Sequence, residues 1–239
     1  MDLIYNHSMK NQDPSQEQLQ SVLNLYTHGK LQQALSESSQ MLERFPNSVV
    51  LHNISGASNA ALKRFDAAID SYQQALRIKP DYAEVHNNMG SVMKDKGDLE
   101  QAIESYQQAL RIKPDYAVAH NNMAKAMKDK GDLEEAIESY KQALRIKPDY
   151  AAAYNNLGIA LKDKGDLNEA IDSFKQAIRI KSDYAAAYYN MGVTLKDKGD
   201  LNEAIDCYKQ TIRIRPDYAD AYNNLGNVFK DKGDLNEAI

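Results

Sequence analysis

Five prolines, Pro46, Pro80, Pro114, Pro148 and Pro216, stand at multiples of 34 residues from one another, and Ser182 fills the slot between them that proline leaves open. Two consecutive copies show how close the recurrence is: DYAEVHNNMGSVMKDKGDLEQAIESYQQALRIKP and DYAVAHNNMAKAMKDKGDLEEAIESYKQALRIKP. A fixed period of this length marks a stack of identical supersecondary units, each too small to bury its own apolar face alone. A chain of 239 residues built this way grows by addition and keeps no single central core.

One copy, residues 81–114, shows what the unit is. Asp81 is placed to cap a first helix, with Glu84 three residues on in the capping-box position. His86, Met89, Gly90 and Met93 then recur at the three- and four-residue spacing of one helix face. Gly97 stops that helix, because a C-terminal cap calls for a left-handed residue. Asp98 starts a second helix, with capping-box partners suggested at Gln101 and, in later copies, at Asp132/Glu135, Asp166/Glu169 and Asp200/Glu203. Leu99, Ala102, Ile103, Tyr106 and Leu110 line this helix, and Pro114 ends it. The spacing therefore predicts two antiparallel helices joined by a tight turn.

Small residues recur where helices must approach. Gly56, Gly90, Gly158, Gly192 and Gly226 share a slot on the first helix, with Ala124 as the exception, and Ala68, Ala102, Ala136, Ala170, Ala204 and Ala238 share one on the second. Such side chains let helix axes come within roughly 8 Å. An aromatic at Tyr72, Tyr106, Tyr140, Phe174 and Tyr208 fills the space beside them. These stripes read as packing core.

Small residue, alanine, aromatic and proline at these offsets closely resemble the tetratricopeptide repeat, over residues 15–239. The departures are local: Lys63 stands in the Gly97 slot, Ser182 replaces proline, and Thr211 replaces the alanine at 75, 109, 143 and 177. The resemblance implies an all-α, right-handed superhelical α-solenoid whose first helices line a concave groove. The expected organisation is an N-terminal extension (1–14), a degenerate capping repeat (15–48), and five repeats at 49–82, 83–116, 117–150, 151–184 and 185–218. An incomplete seventh copy follows (219–239). In the first copy Gln18, Ser21 and Ser38 occupy packing slots, as expected of a cap that meets water on one side. At the other end Asp234 opens a second helix that Ile239 leaves as a stub, so the natural protein is expected to continue, or this end to be covered.

Charge and composition narrow the function classes. A net charge of −5 with both signs interleaved offers no basic footprint for nucleic acid. No apolar run approaches a membrane span, and MDLIYNHSMKNQDPS lacks the form of a signal peptide, so a cytoplasmic location is expected. No nucleophile–base–acid arrangement appears, and no enzyme activity or cofactor is expected. Cys207 stands where sister copies carry Ser71, Ser105, Ser139 and Ser173, a small-residue exchange. His52, His86 and His120 share a slot later filled by Tyr154, Tyr188 and Tyr222. Successive equivalents lie roughly 8–10 Å apart, whereas metal ligands crowd within about 2 Å of one ion, so these histidines read as packing residues.

One polar row points to a ligand. Asn88, Asn122, Asn156, Asn190 and Asn224 occupy a single slot, on the side of the first helix opposite its apolar centre, which predicts exposure. Asn87, Asn121 and Asn155 flank it, and Lys125 stands at a nearby outward slot that differs between copies. Asparagine is a mediocre helix former, yet its amide can both accept from and donate to peptide backbone. Rows roughly 10 Å apart would meet an extended chain about every third residue, at about 3.3 Å per residue. The row is similar to the asparagine ladder in the superhelical arm of O-linked N-acetylglucosamine transferases, without a transferase domain. The family's carboxylate clamp is not matched: it needs lysine at Asn87, Asn121 and Asn155, and basic residues at Glu84, Val118, Ala152, Ala186 and Asp220.

The reading favoured is a non-enzymatic module that binds a protein or peptide partner, with these asparagines and Lys125 as the candidate site. Two rivals stay open: the substrate-recruiting arm of a larger transferase, and a scaffold that self-associates through Tyr222, Leu225 and Phe229 of the last copy.

Overall fold

The computed structural model describes residues 13–233, as thirteen α-helices and no strand. The expected extension before Asp13 and the helix opening at Asp234, with Ala238 and Ile239, lie outside the described residues. The chain is an all-α helical repeat solenoid whose contacts divide into two compact units at Pro114 and Asp115. The first unit holds α1 (Gln16–Thr27), α2 (Leu31–Arg44), α3 (Val49–Ala61), α4 (Phe65–Ile78), α5 (Ala83–Lys96) and α6 (Leu99–Ile112). The second holds α7 (Ala117–Lys130), α8 (Leu133–Ile146), α9 (Ala151–Lys164), α10 (Leu167–Ile180), α11 (Ala185–Lys198), α12 (Leu201–Ile214) and α13 (Ala219–Lys232). Within each unit every helix packs on the next, and odd-numbered helices also touch the next odd-numbered one.

The glycine–aromatic offset sets the packing inside a repeat. A Cβ added at Gly56 would fall 2.5 Å from the Tyr72 ring, at Gly90 2.9 Å from Tyr106, at Gly158 2.6 Å from Phe174, and at Gly192 2.9 Å from Tyr208. Each ring thus rests directly on the backbone of the facing helix and is buried. The first repeat inverts the pair: Val22 takes the glycine slot, Ser38 the aromatic slot, and both are fully buried. Ser38 therefore does not meet water as expected of a polar cap; its hydroxyl donates to the Ala34 carbonyl at 2.6 Å, and the exchange conserves volume.

The turns confirm the glycine stops and correct the caps. Gly97, Gly131, Gly165 and Gly199 have φ of 94–101°, and Lys63 takes φ 58° in the same position without glycine. The Gly97 and Asp98 amides donate to Lys94 and Met93 carbonyls at 3.0 and 2.9 Å, a double closure repeated at the later glycines. The expected aspartate capping boxes do not form. Asp98, Asp132, Asp166 and Asp200 are N-caps, but ψ of 63–69° turns their carboxylates from the helix amides. They pair instead with the lysine two residues earlier, Lys130–Asp132 at 3.1 Å and Lys198–Asp200 at 2.9 Å. Asp81 lies one residue before the N-cap, Tyr82, and Glu84 reaches Lys113 at 3.7 Å. The one side-chain capping box among the described helices is Ser15 with Gln18, where ψ is 154°.

The first helices are buried more widely than one face. On α5, Val85, Asn87 and Val92 are buried with Gly90 and Met93, while His86 and Met89 are half-buried. The helix lies against α3, α4 and α6, so a single apolar stripe underestimates its core. At the last repeat Phe229 is buried, with the Lys209 ammonium 5.6 Å from its ring centre, so it is not the open apolar surface expected there. Tyr222 is half exposed and Leu225 half-buried.

Two tests follow from this packing. Gly158→Val should cost about 1–3 kcal/mol in urea unfolding, since Phe174 cannot yield without losing its seat. Burial also holds the phenols of Tyr72, Tyr106, Tyr140 and Tyr208 above their ordinary value of 10, Tyr106 being pushed up to about 12. Above that value the unfolded chain loses protons that the folded chain retains, so linkage favours unfolding. Stability should be insensitive to these groups below about pH 10 and fall above it, as checked by denaturant midpoints across pH.

Candidate functional site

Each odd-numbered helix from α5 onward carries an asparagine row at its middle. The structure places Asn88 on α5, Asn122 on α7, Asn156 on α9, Asn190 on α11 and Asn224 on α13, all half-buried rather than exposed. Asn87, Asn121 and Asn155 are buried at about one-twentieth exposure. The difference from the expected exposure has the cause already seen in the core: within their units, α5, α9 and α11 lie against three or more helices, and α7 and α13 against two.

The two rows are bonded to each other across repeats. In the second unit Asn156 Nδ2 donates to Asn121 Oδ1 at 3.0 Å, and Asn190 Nδ2 to Asn155 Oδ1 at 3.0 Å. In the first unit Asn88 Nδ2 donates to Asn53 Oδ1 at 3.3 Å. At α13 the acceptor is a phenol, Tyr189 Oη, at 3.0 Å from Asn224 Nδ2. Tyr189 replaces the buried asparagine there and stacks on Tyr218 with ring centres 4.9 Å apart. Within a repeat, Asn121 Nδ2 also donates to Asn122 Oδ1 at 3.3 Å. Every one of these cross-repeat bonds spans 35 residues, one more than the repeat.

A second ladder runs one to two turns further along the same helices. Lys128 Nζ lies 3.8 Å from Asp163, Lys162 3.9 Å from Asp197, and Lys196 4.0 Å from Asp231, again 35 residues apart. These lysines thus join successive repeats. The signal was present in the sequence as the KDKGD motif, but its reach depends on which flank of each helix the stacking turns toward the next repeat. Lys125 stands half-buried on α7, one turn beyond the asparagines.

The remaining polar groups are structural. His52 and His86 place Nε2 2.9 and 3.0 Å from the carbonyls of Pro46 and Pro80, so each donates to the turn that closes the preceding repeat. At the same turns Lys79, Lys147 and Lys181 lie 4.8–5.3 Å over the rings of Tyr82, Tyr150 and Tyr184. Cys207 is buried, and that burial pushes its thiol up to about 12, away from reactivity near neutral pH. No group of three or more His, Cys, Asp or Glu among the described residues could hold a metal ion. No described helix is long and apolar enough to cross a membrane.

Helix pairs that repeat every 34 residues, seated by a glycine–aromatic contact and laced by residues on their first helices, define an α-helical repeat protein. A model of the TPR repeat matches residues 59–97, 91–131, 125–165, 160–199 and 194–233, and the chain belongs to that family. Its members generally mediate protein–protein interactions. Among solved structures, it is similar to MamA at 31% identity, covering 65% of this chain and 85% of that one, with a TM-score of 0.60. PilW, a type IV pilus biogenesis factor, shares the fold at 22% identity, covering 90% of this chain and 100% of that one, with a TM-score of 0.79. YrrB, described as a TPR protein with an unusual peptide-binding site, shares it at 20% identity, covering 77% and 95%, with a TM-score of 0.60. No curated protein matches the sequence.

The lysine ladder gives a direct test. Lys162→Met keeps the apolar stem and removes the charge, and should lower stability by about 0.5 kcal/mol at low salt. The loss should vanish at roughly 1 M salt, where charges are screened within a few ångströms, as read from urea unfolding at both ionic strengths.

Proposed function

We propose that this chain binds an extended segment of a protein partner along the first helices of its second unit, through the amides of Asn122, Asn156, Asn190 and Asn224, with Asn88 as the equivalent residue of the first unit. The observation that carries the reading is the chemistry left over at the row. Asn156 and Asn190 each commit one N–H to the preceding repeat. A carboxamide has two N–H donors and an acceptor oxygen, so the second N–H and the carbonyl oxygen remain to meet a peptide unit. The cross-repeat bond holds each amide in one rotamer, so less side-chain freedom is lost when a peptide binds. Asn121 and Asn155 serve as the acceptors that orient Asn156 and Asn190, Asn87 donates to Asn88 Oδ1, and Lys125 adds a cation beside the row. Backbone-directed contacts of this kind tolerate many partner sequences.

Family membership supports a protein or peptide partner, and the peptide-binding description of YrrB agrees with it. The likeness to the transferase arm rests on the asparagine row, and recruitment of a substrate segment for a larger enzyme would use the same face in the same way.

The test is alanine at Asn122, Asn156 and Asn190 together, assayed against a peptide selected by display on the intact chain. Affinity should fall by roughly 2–4 kcal/mol if each amide contributes an ordinary hydrogen bond. Contrary to what exposure would have implied, stability should fall too, by about 1–3 kcal/mol for the two bonds to Asn121 and Asn155. A triple variant that is less stable, yet binds the peptide as the parent does, would make the row a purely structural spine.

A further inference from the structure

The lysine–aspartate ladder has a gap. In the second unit Asp163, Asp197 and Asp231 receive the lysine of the preceding repeat, so that Asp163 lies 3.8 Å from both Lys128 and its own neighbour Lys162. Asp95 on α5 occupies the same slot in the first unit and holds its own neighbour, Lys94, at 3.0 Å. The residue 35 positions before it is Ala60, where the other repeats carry lysine, and the adjoining Ala61 stands where they carry aspartate.

The space that those longer side chains would fill is a cavity of about 320 Å³. Its walls are the methyl groups of Ala57, Ala60 and Ala61, with the rings of Tyr26 and Tyr72, and Asp95. Asn88, Ser91 and Val92 complete the lining, and the Ser91 hydroxyl is held in place by the Tyr106 phenol at 3.1 Å. Three features converge on one kind of occupant. The alanine walls suit an alkyl stem, and the half-buried Tyr26 suits a cation by the face-on contact that Lys79 already makes with Tyr82 at 4.8 Å. Asp95 supplies the carboxylate, in the slot where the second unit places a lysine ammonium beside it.

We propose that this cavity is a subsite for the lysine or arginine side chain of a bound polypeptide, which takes the position of the ladder lysine that Ala60 lacks. A neutral apolar side chain would fill the walls but leave Asp95 with Lys94 alone. An acidic one would face the carboxylate. The site would therefore add selectivity for a basic residue to a groove that otherwise reads backbone. It rests on the peptide-binding reading for its biological ligand, but not for its chemistry.

The experiment uses the whole chain, labelled for amide NMR, with Nα-acetyl-lysine methylamide as probe and its norleucine counterpart as the uncharged control. The lysine compound should shift the amides of Ala57, Ala60, Ala61 and Asp95 in a saturable way, with a Kd on the order of millimolar. Norleucine and the Asp95→Asn variant should each weaken that binding by roughly two- to fivefold. Ala60→Lys, which installs the missing ladder residue, should abolish it while the amide spectrum of residues 115–233 stays unchanged. Absence of saturable shifts up to roughly 50 mM, equal binding of norleucine, or unaltered binding to Ala60→Lys would each overturn the proposal. None of Asn122, Asn156 and Asn190 lines the cavity. Failure of the asparagine reading in its own triple variant would thus leave this result standing, and the reverse holds as well.

Discussion

An aromatic ring seated on a bare stretch of helix backbone is the contact from which the rest of this protein is built. Tyr72, Tyr106, Phe174 and Tyr208 lie on the glycines of their facing helices so closely that a methyl group would overlap them. That contact fixes the distance between the two helices of a repeat, and hence where the first helix presents its remaining sides. Val22 with Ser38, and Ala124 with Tyr140, occupy the same place with different volumes and are equally buried. The requirement is therefore that the pair fill the gap without a void, and the helices accommodate the extra methyl of Ala124.

With each pair seated, successive repeats are joined by polar groups as well as by apolar burial. The asparagine and lysine ladders both step by 35 residues, because adjacent side chains point about 100° apart round a helix, so that one slot faces the following repeat and the next slot the preceding one. A buried amide such as Asn121 or Asn155 would be costly without its partner, so the bonded rows favour one register between repeats. Asparagine thus has two tasks on these helices. It aligns neighbouring repeats, and it is the row through which we propose that a peptide backbone is bound.

Differences between copies matter because the copies are otherwise so alike. Tyr189 in place of asparagine changes the ladder acceptor from an amide to a phenol stacked on Tyr218. Ala57, Ala60 and Ala61 on α3 remove the side chains that close the same surface elsewhere and leave a cavity. In a protein made by repetition, selectivity is expected where the repetition lapses, since identical slots can read only what is common to every stretch of backbone.

The repeat, its two helices, the turn glycines and the membership of the TPR family were all legible in the sequence, because they depend on local propensity and on a period that survives in one dimension. The asparagine row was legible as a pattern, and Cys207 and the histidines as packing residues. Which atoms the row meets was not. Burial of Asn87 and Asn121, the turning of Asp98 and Asp132 away from their helices, the burial of Phe229 and the reach of Lys128 to Asp163 all depend on side chains brought together across repeats. Sequence determines which residues return every 34 positions. Stacking in three dimensions, which turns one flank of a first helix toward the preceding repeat and another toward the following one, decides that their bonds close over 35.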